Sequence, residues 1–277
     1  MALKDRLYIG RLYNPIGWKL LPTMTRYSYP WMTRRLSAHD IVMMNNGYEE
    51  DPPLGLKLDE SDEPNRYPLQ LYHATATQAG DLAGKRVLEV GCGHGGGASY
   101  LTRTHRPASY TGLDLNPAGI EFCRTRHQIP NLDFVRGNAE DLPFPDESFD
   151  AVINVESSHC YPHLDVFLNE VARVLTPGGH FLYADSRPKE LLDEWDAALA
   201  KAPLRMMSQR DIRIEVMLGM QQTRWELASM GKGDQRALKQ LFGLRDDMNM
   251  RNGKVYRELE TEGFAYRIYL FTKPGAD

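Results

Sequence analysis

Cysteine is scarce in this chain, and what there is lies scattered. Cys92, Cys123 and Cys160 are the three present in 277 residues, and no CxxC spacing relates them. Their scatter argues against a disulfide framework or a clustered zinc site and suits a reducing compartment, so no metal site is expected. Charge of one sign is also lacking. The 33 basic and 37 acidic residues are mixed and leave a formal net charge of -4, so no nucleic acid partner is expected. No stretch approaches the roughly 18 consecutive apolar residues of a membrane span, which predicts no integral membrane segment. The opening MALKDRLYIGRLY lacks a long apolar run and a small-residue cleavage site. No signal peptide is expected, and the cytoplasm is the expected location. Internal repeats and low-complexity tracts are absent. Methionine is missing from the middle: none of the 12 lies between residues 45 and 205.

What is present is a strand–helix alternation. The length allows one large α/β domain with a small lid. Residues 1–80 are rich in aromatics and turn formers, and residues 191–250 read as helical and polar. Between them, strands are predicted over 86–90, 108–114, 132–136, 149–155 and 180–184. Helices are predicted from 96 to 104, 117 to 126 and 165 to 175, the second opening on Pro117 and the third stopped by Thr176-Pro177-Gly178-Gly179. This alternation means βαβ units and a parallel sheet. The tail VYRELETEGFAYRIYLFTK reads as two strands joined at Glu262-Gly263.

The stretch VLEVGCGHGGG, residues 87–97, puts five glycines directly after the first strand. Glycine permits a tight turn with positive φ and close approach of a ligand to the backbone. Between a strand and a helix it forms the nucleotide-binding turn of doubly wound folds. Gly91, Gly93 and Gly96 satisfy GxGxxG, a weak signal alone. Asp114 follows 23 residues after Gly91, at the end of the second strand, where an acid can bind ribose hydroxyls.

Glu89-x-Gly91-x-Gly93, Asp114, the segment Gly137–Phe144 after the third strand, Phe149-Asp150 and Leu175–Gly179 form an ordered set over about residues 84–185. That set resembles the class I S-adenosylmethionine-dependent methyltransferases. The resemblance implies a Rossmann-like seven-stranded α/β sheet with helical lid segments, and S-adenosyl-L-methionine as cofactor. It implies a division into an N-terminal lid and substrate segment (1–80), a cofactor-binding core (81–190), a helical lid insertion (191–250) and C-terminal strands completing the sheet (251–277). It carries cofactor contacts onto Glu89, Gly91, Cys92 and Gly93, onto Asp114 for the ribose and Leu115 for the adenine face. Asn138, Ala139 and Glu140 match the adenine-edge segment, with asparagine where many members have aspartate. Asn154 and Val155 would lie near the methyl donor.

The loop Glu156-Ser157-Ser158-His159 is similar to the ESxxH loop of small-molecule O-methyltransferases. His159 matches a base there, and Asp185, just after the predicted fifth strand, matches an acid that orients it. A plain loop hydrogen bond is the competing role for His159. Tyr161 and His163 are substrate candidates beside a loop-packing role, and Cys92 reads as a small filler. Tyr27 and Tyr29, within Tyr-Ser-Tyr-Pro-Trp-Met, add apolar faces with polar tips. With the two methionine-bearing zones they suggest an apolar acceptor pocket, although helix packing accounts for methionines equally well.

Stretches from Tyr48-Glu49-Glu50-Asp51-Pro52-Pro53 through Leu71–Gln78 to Ser158–His163 resemble mycobacterial lipid O-methyltransferases, the group that includes fatty-acid O-methyltransferases and phthiotriol dimycocerosate methyltransferases. The likeness runs from about residue 25 to 190 and fades over 205–260. It implies a lipid acceptor, with the carboxylate of a fatty acid favoured; the sequence leaves the oligomeric state open between a monomer and a homodimer. A hydroxyl on a complex lipid, or a polyketide or sugar acceptor, is the alternative.

Overall fold

Apolar runs set the strands, and side-chain alternation decides what each strand face meets. The computed structural model describes residues 15–36, 39–223 and 254–275. Its strands are β1 (Arg86–Val90), β2 (Ser109–Asp114), β3 (Leu132–Arg136), β4 (Phe149–Val155), β5 (Leu175–Pro188), β6 (Arg205–Asp211) and β7 (Phe264–Thr272). They form one sheet in the order β3-β2-β1-β4-β5-β7-β6. The pairs from β3 to β5 are parallel, whereas β7 runs antiparallel to both β5 and β6. Together with the flanking helices this is the Rossmann-like α/β fold expected.

The described helices are α1 (Pro15–Leu36), α2 (Arg66–Ala76), α3 (Gly96–His105), α4 (Pro117–Arg126), α5 (Leu164–Val174), α6 (Leu192–Lys201), α7 (Arg213–Gln222) and α8 (Lys254–Glu260). They cover both faces of the sheet. Val87, Ile153 and Leu182 pack on one side with α2, α3 and α7 residues such as Leu71, Ala98 and Val216. Leu88, Val152, Phe181 and Tyr183 pack on the other with Phe167 and Val171 of α5 and Trp195 of α6. A strand covered on both sides reads as a continuous apolar run rather than an alternating one, which is why β1 and β4 stand out in the sequence. Helix α4 starts where the chemistry dictates: the Asn116 side chain accepts the Ala118 N–H at 3.1 Å, with Pro117 in the first turn. Among the described residues no helix is long and apolar enough to cross a membrane.

Three expectations need correction. The tail holds one strand, not two: Lys254–Glu260 is helix, and Glu262 (φ 57°) turns the chain into β7. Tyr256 and Leu259 are buried three residues apart, with exposed or half-buried charges between them, a helical period rather than a strand one. The seventh strand comes instead from RMMSQRD, inside the stretch read as helical. Every residue of it is exposed, so it has no alternation to read, and pairing with β7 makes it a strand. Finally, β5 runs on to Pro188 because β7 pairs with it as far as Phe264, so Asp185 lies within the strand and not after it. Residues 224–253, with Met230, Met248 and Met250, most of them within the stretch expected to form a lid, and residues 1–14 with Met1, lie outside the described residues.

Candidate active site

The glycine turn leaves β1 with Gly91 at φ 80° and Gly93 at φ 55°. The Gly91 and Cys92 N–H groups both donate to the Leu113 carbonyl, at 2.7 and 3.0 Å, which ties the turn to the end of β2. A Cβ on Gly91 would lie 1.8 Å from Ser157 Oγ and 2.8 Å from Tyr161 Oη. Glycine is therefore required on two counts, conformation and space. Asp114 closes the same corner: its carboxylate accepts the Gly93 N–H at 2.9 Å and the Asn116 N–H at 2.9 Å. Burial raises its pKa, and these backbone bonds oppose the rise.

Glu89 is turned away from this surface. It is fully buried beneath the turn, where Tyr72 and Tyr110 donate to its carboxylate at 2.9 and 2.7 Å. Burial pushes its pKa up to about 7 against the pull of those two bonds.

The loop after β4 is built around strain. Glu156 has φ 48°, a left-handed conformation that costs a non-glycine residue free energy and must be held by its surroundings. It is held: its carboxylate accepts from the Asn46 backbone N–H at 3.0 Å, from Asn46 Nδ2 at 3.0 Å and from the Tyr266 hydroxyl. Burial raises its pKa. Next to it, His159 Nδ1 lies 2.7 Å from Asp185 Oδ1, and the His159 backbone N–H donates to Oδ2 at 3.0 Å. Asp185 is fully buried and also accepts from Ser158 Oγ at 2.6 Å and pairs with Arg187 at 3.1 Å. Arg187 in turn donates to Ser158 Oγ at 2.9 Å.

The electrostatics of the pair follow from this network. Burial lowers the basicity of His159, but the Cys160 sulfur and the Asp185 carboxylate outweigh it, and the imidazole pKa stands well above 6.5. Burial likewise works to raise Asp185, but His159 and Arg187 hold it well below the usual carboxylate range. With Nδ1 engaged by Asp185, Nε2 is the remaining ring nitrogen, and the Cys160 side chain is the imidazole's other polar neighbour. The ring packs against Trp18 of α1, centroids 5.6 Å apart, and the side chain keeps 17 % of its surface exposed.

A cavity of about 280 Å³ opens over the glycine turn, roofed by α1 through Pro22, Thr25, Arg26, Tyr29 and Pro30. Of the residues singled out in the sequence, Gly91, Cys92, Gly93, Asp114, Leu115, Asn138, Ala139, Val155, Tyr29 and Tyr161 line it. Asn154 lies just behind the wall, donating to the Val90 carbonyl at 2.8 Å and to Tyr161 Oη at 3.0 Å. His159 and Asp185 stand beside the lining residue Cys160. Besides Glu89, three side chains are elsewhere. Glu140 and His163 pair on the rim, the His163 N–H donating to Glu140 at 2.5 Å. Tyr27 is 75 % exposed and does not line the cavity.

Sequence reasoning passed over three residues here. Asn45 lines the cavity and is buried; its Nδ2 donates to the Asn46 and Pro68 carbonyls, yet its Oδ1 has no partner among the described residues. No periodicity marks this extended segment, so no signal pointed to it. Glu156 was in view as the first letter of the quoted loop. Arg187 lies two residues beyond Asp185, a strand spacing that puts both on one face and was available to be read.

The known proteins that this chain is similar to agree with that geometry. Residues 88–183 match the methyltransferase domain family. A fatty-acid O-methyltransferase of Mycolicibacterium smegmatis is 55% identical over 280 residues, covering 99% of both chains. A phthiotriol/phenolphthiotriol dimycocerosates methyltransferase of Mycobacterium tuberculosis is 56% identical, covering 90% of this chain and 91% of its own. Among solved structures, the cyclase SpnF aligns with TM-score 0.68 at 21% identity, covering 93% of this chain and 96% of its own. A geranyl diphosphate methyltransferase aligns with TM-score 0.63 at 17% identity, covering 91% and 99%. The structural likenesses establish the fold, which hosts a cyclase as readily as a methyltransferase. The identity to the mycobacterial relatives over nearly the whole length goes further, and this chain belongs to their family of S-adenosyl-L-methionine-dependent methyltransferases.

Proposed function

We propose that the chain methylates the carboxylate of a fatty acid, using S-adenosyl-L-methionine and releasing a methyl ester. The observation that carries this reading is the His159–Asp185 pair. Its imidazole lies 2.7 Å from the buried Asp185 carboxylate, which raises its pKa and favours the charged form. A fixed cation makes a poor base and a good partner for a carboxylate. A fatty acid, with a pKa of about 4–5, arrives already ionised and needs no base.

The cavity suits the cofactor. Asp114 spends lone pairs on two backbone donors and has others to offer to a pair of hydroxyls. Leu115 and Ala139 line the cavity with apolar surface suited to an adenine, and the Asn138 amide, also in its lining, would bond the edge of the base. The unpartnered Oδ1 of Asn45 is a buried acceptor suited to an ammonium group. When bound, the cofactor would supply a sulfonium methyl group for transfer to a carboxylate oxygen, its S–CH3 bond breaking to leave S-adenosylhomocysteine, and no proton would have to leave the acceptor. His159, through Nε2–H, holds the carboxylate. Trp18 and the inner face of α1 exclude water, and alignment supplies most of the rate.

Two measurements test this. The first is the pH dependence of kcat/KM with a fatty acid. It is expected to fall as pH rises through the raised pKa of His159, because the cation is lost. His159→Ala is expected to raise KM about 10- to 100-fold, the worth of a charge-assisted hydrogen bond. The alternative acceptor, a hydroxyl of a complex lipid, needs a base and would show the opposite slope, with kcat collapsing in the variant.

The second concerns Asn45. Asn45→Ala is expected to weaken S-adenosylhomocysteine, by calorimetry, about tenfold. Methylthioadenosine has no amino acid group and should bind as before. Equal losses for both ligands would remove the ammonium contact.

A further inference from the structure

Helix α1 presents two opposite faces, and the cavity uses one of them. At about 100° per residue, Trp18, Pro22, Thr25 and Tyr29 fall on the face turned to the cleft. The opposite face carries Leu20, Met24, Tyr27 and Trp31, which are 54, 37, 75 and 50% exposed. Their spacing of four, three and four residues puts them in one stripe about 17 Å long. Four large apolar side chains aligned on one exposed helix face mark an interaction surface rather than scattered surface residues. Two of them are Tyr and Trp, the types that settle where one end is apolar and the other wet.

The charges of the helix point to the partner. Lys19, Arg26, Arg34 and Arg35 are its charged residues, with no acidic residue over Pro15–Leu36, in a chain whose net charge is -4. The Arg35 guanidinium lies 4.2 Å over the Trp31 ring, so a cation stands beside the stripe itself. An apolar line flanked by cations on one helix is the pattern of a segment that lies in the plane of an anionic lipid surface.

We propose that the outer face of α1 docks this protein on a bilayer containing anionic phospholipid, so that the helix roofing the cavity is also the part in contact with the membrane. The stripe enters the headgroup boundary, and Arg34 and Arg35, which flank it on the helix, meet phosphates. The acceptor then passes along α1 into the cleft without crossing bulk water. This extends the lipid-acceptor reading to the source of the acceptor and rests on that reading for its purpose, but the docking itself can be tested without turnover.

The experiment is flotation of the full chain with phosphatidylcholine vesicles, with and without phosphatidylglycerol. Wild type should float with the anionic vesicles, weakly with the neutral ones, and less at high salt. Leu20→Ser/Trp31→Ser, at two exposed positions away from the cleft, should lower the bound fraction at least about tenfold. The same variant should methylate dissolved octanoate as wild type does, and palmitate embedded in anionic vesicles much more slowly. No flotation, or flotation unchanged in the variant, overturns the proposal. So does self-association that the variant abolishes in a chain that does not float, which would assign the face to a second copy. Flotation that depends on the stripe, with no methylation of any fatty acid, would leave the docking standing and overturn the acceptor instead.

Discussion

Gly91→Ala is expected to lower methyl transfer by about 100-fold or more, the scale of loss that follows a misplacement of roughly 1 Å near the reacting groups. The new Cβ would fall 1.8 Å from Ser157 Oγ, inside any permitted contact, and Gly91 sits at φ 80°. Relief requires the Ser157–Tyr161 pair, hydrogen-bonded at 2.7 Å, to move away from the turn. Both residues line the cavity, so the wall deforms with them. The backbone conformation adds a destabilisation of about 1–3 kcal/mol, readable in urea unfolding. The two effects separate in a double variant. Gly91→Ala/Ser157→Gly removes the clash with Ser157, leaves only the 2.8 Å approach to Tyr161 Oη and keeps the strained φ, and should recover part of the activity and little of the stability. Near-normal activity in Gly91→Ala alone would mean that the turn does not shape the working cleft.

Asp185→Ala should produce the largest loss of stability, about 3–5 kcal/mol, the usual result of removing one partner from a buried ion pair. Arg187 is left buried with no carboxylate, and Ser158 and the His159 N–H lose their acceptor. Asp185→Asn keeps the shape and loses the charge, and should cost less. Its signature lies in the pH dependence. His159 is raised in the folded state, so its contribution is complete below its unfolded pKa of about 6.5 and is lost as pH rises through the folded value. Asp185 is depressed, so its contribution is present above about 3.9 and is lost as pH falls through the folded value. Wild type should therefore show a stability plateau between these limits with a decline on either side. In Asp185→Asn the acid limb from this group disappears and the alkaline limb flattens. Urea midpoints measured across pH decide it, and identical profiles for the two proteins would show that the pair does not titrate as the geometry requires.

How much of this was legible beforehand depended on whether burial left a pattern. Strands β1, β3 and β4 and helix α4 were readable to the residue because turn formers bound their apolar runs. Strand β6 was not, since nothing in it is buried and its state is imposed by β7. Helix α8 was misread because its short amphipathic pattern runs straight into a true strand. At the site, the glycine turn and Asp114 could be read from order and spacing, and the His159–Asp185 partnership from the resemblance of the loop after β4. The Asn45 acceptor and the Asn46 contact with Glu156 could not, because they come from an aperiodic segment far away in sequence. Glu89 shows the opposite failure: it belongs to the glycine motif, yet its carboxylate serves the tyrosines beneath the turn.

The position of β7 has a consequence for how the chain is made. It follows β6 in sequence but lies between β5 and β6 in the sheet. During synthesis β6 emerges with no neighbour to pair with, and β5 waits with an open edge. The cleft waits as well, since Tyr266, on β7, is one of the groups that hold Glu156 in its strained turn. A nascent chain stopped before residue 264 thus carries the glycine turn but an unlatched loop and an unpaired strand, a sticky species that folding helpers must shield. Pairing of β7 and completion of the site are one event.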